Sequence, residues 1–134
     1  LLVYVNEVLQ EQTKISEKGV LLLDNNTFKR KLYREALEGA HYKVAEATSV
    51  VQALDILKAE PIGVVVFNPF IPGGLTLAKR MRLNPTWNAI ALIVLSSHPV
   101  PEETRRRQLP MVKHLFLHSA MPPARLPQIV AKYL

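Results

Sequence analysis

A doubly wound α/β domain with a parallel five-stranded sheet, (βα)5, is the architecture to expect from this chain. Short strand-like runs recur five times, three of them wholly apolar, and stretches with helical spacing separate them. Turn-forming residues follow each run. A wholly apolar run suits a strand buried on both faces, and alternation with helices implies parallel strands joined by crossovers. Right-handed crossovers leave few topologies, and the common order for five such strands is 2-1-3-4-5.

The elements follow in order. Leu1 to Ile15 reads as a helix, with Leu1, Val5, Val8 and Ile15 on one stripe and Gly19 closing it. It is expected to lead in from an upstream domain, with an ordinary helix packed on its own domain as the alternative, so residues 1–18 are set apart from a domain at 19–134. Val20 to Leu23 is the first strand, and Asn25-Asn26-Thr27 offers turn and cap residues for a helix from Phe28 to Glu38, stopped by Gly39. Tyr42 to Ala47 is the second strand. Ser49 with Gln52 makes a capping box for a helix through Ala59, and Pro61 marks its end. Val64 to Phe67 is the third strand, and Asn68 to Gly74 is a loop rich in breakers. Leu75 to Leu83 is helical, with Leu75, Ala78 and Met81 facing inward. Ile90 to Leu95 is the fourth strand, Pro101 to Leu109 a short helix, His114 to Leu117 the fifth strand, and Pro127 to Leu134 the last helix.

Composition narrows the function. The chain has 134 residues, 49% of them apolar, enough for one domain with a sizeable core. It has no cysteine, which removes disulfides, thiolate metal sites and thiol nucleophiles together. The longest apolar run, Ala89 to Leu95, is far short of the roughly 20 residues that span a bilayer. A cytoplasmic domain is expected. Residues 61–134 carry 9 Lys and Arg against 2 Glu, while residues 1–60 are nearly balanced, 8 against 9. Such a one-sided field favours acidic partners.

Open α/β sheets bind ligands beyond the carboxyl ends of their strands. Those positions hold Asp24-Asn25-Asn26, Asn68-Pro69-Phe70, Ser96-Ser97 and His118-Ser119. The pattern from Lys18 to Leu134 resembles the receiver domain of two-component response regulators, a flavodoxin-like fold. The resemblance implies an acidic pair after the first strand and a phosphoacceptor aspartate after the third, holding Mg²⁺ together. It also implies a hydroxyl after the fourth strand and a Lys-Pro after the fifth, which bind the phosphoryl oxygens. Here Asp24 keeps one acid and Asn25 replaces the second; Asn68 falls on the phosphoacceptor, Ser96 on the hydroxyl, and His118-Ser119 on Lys-Pro. Pro72 and Gly74 fit the loop that follows the phosphoacceptor, with about two residues missing between them.

These departures have chemical weight. An acyl phosphate forms by attack of a carboxylate oxygen, and the Asn68 amide is a far poorer nucleophile. Mg²⁺ prefers carboxylate oxygens, and three expected carboxylates have become one. An imidazole with a pKa near 6.5 stands where an ammonium would clamp phosphate. The expectation is therefore a degenerate receiver, a signalling interaction module and not an enzyme, with Mg²⁺ binding weak or absent and no other cofactor. Asp24 is read as a cap or local backbone acceptor, with residual cation binding as its alternative. His98, His114 and His118 lack metal-ligand spacing, and Gly73-Gly74 lacks a nucleotide-binding pattern.

Partner binding is expected on the face of the fourth helix, fifth strand and fifth helix, which the resemblance implies as the output and dimer surface. Arg105, Arg106, Arg107 and Lys113 supply its charge. The partner would be another signalling protein, an upstream domain of the same chain, or a second copy. The alternatives are a working phosphoacceptor in a phosphorelay, and binding of nucleic acid or an acidic ligand by the basic half. Without interleaved aromatics, single-stranded nucleic acid is the weaker fit.

Overall fold

The computed structural model describes residues 18–134. The helix expected at Leu1 to Ile15, and with it the 1–18 lead-in, lies outside the described residues apart from Lys18. Five strands alternate with helices: β1 (Gly19–Leu23), α1 (Thr27–Gly39), β2 (Val44–Ala47), α2 (Val50–Ala59), β3 (Ile62–Phe67), α3 (Gly74–Leu83), β4 (Ala91–Ser96), α4 (Glu102–Gln108), β5 (His114–Leu117) and α5 (Leu126–Val130). All pairings are parallel, in the order β2-β1-β3-β4-β5. The predicted topology is the one observed.

Alternate residues of each central strand feed two cores. Leu21, Leu23, Val65, Phe67, Leu92 and Val94 pack on one side against α2 and α3. Val20, Leu22, Val64, Val66, Ile93 and Leu95 pack on the other against α1 and α5. Every residue of β1 and β4 is buried, which explains why those strands read as unbroken apolar runs. Burying one such side chain contributes about 1.5–3 kcal/mol, so the sheet centre dominates stability. No helix among the described residues is long and apolar enough to cross a membrane.

Several local expectations need correction. Gly39 does not stop α1 from a left-handed position. It is the last helical residue, and His41 takes the positive φ, 71°, two residues later. The capping box at α2 is half formed: Ser49 Oγ accepts from Gln52 N at 3.3 Å, but the Gln52 side chain bonds Thr48 instead. In α3 the inward residues are Gly74, Leu77, Ala78 and Met81, with Leu75 only partly buried. Ala78 and Met81 face inward as expected, Leu75 packs at the edge of the same core, and Leu77 joins the buried face. The last helix is much shorter than Pro127 to Leu134. The chain after β5 makes two 3₁₀ turns (His118–Ala120 and Pro123–Arg125), and the helix then runs from Leu126 to Val130 with Pro127 in its first turn. Beyond Val130 the backbone tightens to i→i−3 bonds, Lys132 N to Ile129 O and Tyr133 N to Val130 O.

The glycine pair is fixed by backbone geometry. Gly73 caps α3 at φ 80°, a left-handed conformation that favours glycine. A Cβ on Gly74 would lie 2.7 Å from the carbonyl oxygen of Pro69 and 3.0 Å from that of Asn68. The strand β3 loop thus turns directly onto the helix, with no room for a side chain between them. Gly74→Ala should cost about 1–3 kcal/mol, as overpacking against immobile backbone does. Urea denaturation checks this, and an unchanged midpoint would contradict the close approach.

Candidate functional site

Parallel strands aim their carboxyl ends one way, and the loops leaving β1, β3, β4 and β5 gather at that edge. Asp24, one residue past β1, is 6% exposed. Its Oδ1 accepts from Asn26 N at 3.0 Å, a local turn. The cap of α1 comes from Asn26, whose Oδ1 accepts from Lys29 N at 2.9 Å. The second oxygen of Asp24 meets the Lys29 ammonium at 2.8 Å, with both side chains shielded from water. Lys29 Nζ also donates to Leu95 O at 3.0 Å, near the end of β4. One buried ammonium therefore bridges β1 and β4 across the end of β3.

Lys29 is the residue that sequence reasoning missed. It opens a Lys29-Arg30-Lys31 run that reads as a solvated helix face. The available signal was its spacing: Lys29, Tyr33 and Leu37, four residues apart, are the buried stripe of α1, whereas Phe28 points into solvent.

Asn68 is equally buried, and both ends of its amide are engaged. Oδ1 accepts from Phe70 N at 3.0 Å, and Nδ2 donates to Ser97 Oγ at 3.2 Å. Ser97 Oγ lies 3.0 Å from His98 Nδ1, and the His98 ring meets Phe70 edge to face. The loops after β3 and β4 are thereby laced together. The hydroxyl that meets Asn68 is Ser97. Ser96 is fully buried and turned onto the backbone of His98, accepting from its N at 3.2 Å and donating to its carbonyl. Asn25 is exposed.

His118 begins the turn after β5, with Nδ1 3.3 Å from the Tyr33 hydroxyl. That hydroxyl donates to Met121 O. Burial pushes the Tyr33 phenol up to about 12. Burial lowers His118 from the ordinary histidine value, the Lys29 charge lowers it further, and Asp24 opposes both. Between Asp24, Lys29 and Asn68 the open space is about 20 Å³, the size of a single water. The structure thus gathers Asp24, Asn68 and Ser96 at one edge, with His118 coupled through Tyr33, and leaves Asn25 outside.

The arginine triplet is less bare than its sequence suggests. Arg105 reaches Glu102 at 3.8 Å and Arg107 reaches Glu103 at 3.2 Å, both within the exposed α4. Lys113 lies at the opposite end of the sheet from Asp24, just before β5, where its N–H donates to Leu92 O. Among the described residues, no three His, Asp or Glu side chains converge as a metal cluster.

Residues 20–130 match the response regulator receiver domain family. The chain belongs to that family. Solved structures agree in fold at low identity. A response regulator receiver protein from Pseudomonas putida superposes at TM-score 0.76 and 22% identity, over 87% of this chain and 97% of that one. A chemotaxis response regulator of Vibrio cholerae gives 0.75 at 18%, over 87% and 98%. A signal receiver domain of a two-component histidine kinase from Clostridium thermocellum gives 0.73 at 20%, over 87% and 96%. No curated protein sequence matches the chain significantly. The fold and family place this receiver domain among signal-transduction modules of two-component systems.

Two histidines of the receiver, His114 in β5 and His118 just after it, impose a pH dependence. His114 is lowered too, by burial and by the nearby charges of Lys132 and Arg125. The folded state resists a proton that the unfolded chain accepts near pH 6.5, so stability falls as pH drops below that value and is unaffected by these groups above it. The melting temperature should therefore be lower at about pH 5.5 than at about pH 7. In His118→Gln part of that difference should vanish. An identical pH profile in the variant would contradict the burial of His118.

Proposed function

We propose that this receiver domain signals by docking and takes no phosphoryl group. The carrying observation is the buried ion pair between Asp24 and Lys29. The family's chemistry asks for Mg²⁺ at this edge, held by carboxylates that neutralise developing charge with it. Asp24 is the one carboxylate lining the niche, and its oxygens are committed to an ammonium and a backbone N–H. A divalent cation there would have to displace Lys29 from a site with little water to receive it. These residues do not fit Mg²⁺, and no transfer step runs through it.

The position of the acceptor supports the same reading. Asn68 offers an amide instead of a carboxylate, already bonded at both ends. The clamp expected from a lysine after β5 is the His118 imidazole, held towards its neutral form. The domain would act in the cytoplasm through its surface, on another signalling protein or on an upstream domain of the same chain. Asp24, Lys29, Asn68, Ser96 and His118 would serve as a fixed brace for the loops at the carboxyl edge of the sheet.

Treatment with acetyl phosphate and Mg²⁺ should leave the intact mass unchanged, and Asn68→Asp alone should not restore modification while Lys29 holds Asp24. Millimolar Mg²⁺ should shift the melting temperature little. A phosphoryl adduct on the β3–α3 loop would sink this reading.

A further inference from the structure

We infer that the α3–α4 side of the sheet, at the end remote from Asp24, is a docking groove for an acidic peptide segment with one large apolar anchor. The inference rests on the docking reading above. Helices antiparallel to the strands deliver their last turns to this end: Arg82 closes α3, Arg107 closes α4, and Lys113 precedes β5. Two adjoining cavities open there, of about 160 Å³ and about 40 Å³, and share Arg82, Leu92 and Met111 in their walls.

The larger cavity has an apolar lining that includes Trp87, Leu92 and Met111, with Arg82 and Lys113 at its border. A cavity on the order of 150 Å³ admits a benzene-sized group, so this one suits a single Leu or Phe side chain. Met111 is 54% exposed beside it, a flexible side chain able to close on an anchor.

Charge selects the rest of the partner. Lys79, Arg82 and Arg107 line the smaller cavity, and neither cavity has an acidic residue in its wall. Among the described residues Lys79, Arg82 and Lys113 form no ion pair, whereas Arg107 pairs with Glu103 along its own helix. Unpaired cations around an apolar pocket complement carboxylates flanking an apolar side chain, and they speed encounter. A phosphate backbone would find the charge but would leave the apolar pocket empty.

The test uses the ¹⁵N-labelled chain and synthetic Asp/Glu-rich peptides with either Leu or Ser at the centre. The Leu peptide should shift the amides of Arg82, Met111 and Lys113 saturably, and the Ser peptide should bind roughly tenfold more weakly or worse. Arg82→Glu and Lys113→Glu should each weaken binding by about tenfold and flatten its salt dependence, while Arg106→Glu, outside the groove, keeps most of it. No saturable shift, shifts confined to other faces, or tighter and steeply salt-dependent binding of duplex DNA by the same residues would overturn the groove. Mg²⁺ with beryllofluoride, added to the same sample, separates the two readings. Shifts at Asp24 and Asn68 would defeat the docking-only reading, whereas a silent crevice with no peptide binding would defeat the groove alone.

Discussion

A carboxylate and an ammonium 2.8 Å apart, both removed from water, govern the carboxyl edge of this sheet. Each ion loses several kcal/mol of hydration on burial, and the pair recovers it only with close geometry and further hydrogen bonds. Both conditions hold, because Asn26 N–H serves Oδ1 of Asp24, the oxygen that Lys29 leaves free, and Leu95 O serves the ammonium. The two partners depend on one another. Removing either leaves a buried charge unopposed.

That interdependence spreads through the edge. Lys29 comes from α1 and ends on β4, so the first crossover is tied to the far side of the sheet. Its charge reaches His118 and, after burial, helps to hold the imidazole neutral beside the Tyr33 hydroxyl. Asn68 is served by a separate circuit through Ser97, His98 and Phe70. A receiver built this way carries its counter-charge internally, between Asp24 and Lys29.

The sheet was legible in the sequence because its physics is local. Val20 to Leu23, Val64 to Phe67 and Ile90 to Leu95 are apolar without interruption, which only a strand covered on both sides tolerates at that length. His114 to Leu117 was placed to the residue. The failures arise where tertiary contact decides. Gly39 does end α1, as the last helical residue, but the left-handed conformation falls on His41 two residues later. In α3, Ala78 and Met81 were placed correctly, but Leu77 is buried more fully than Leu75. The last helix stops at Val130, where i→i−3 bonds replace the α pattern. In the site, Asp24, Asn68, Ser96 and His118 were located by the rule that strand ends make the crevice. Lys29 was not, because a lysine is seldom buried and its partner lies five residues away on a different element.

A double-mutant cycle over Asp24→Asn and Lys29→Met, read by urea unfolding, addresses the internal counter-charge most directly. Each single variant should lose about 3–5 kcal/mol, as breaking a buried pair does, and the double variant should lose far less than the sum. Losses that add to within about 0.5 kcal/mol would show that the two groups do not hold one another, and the account would fail.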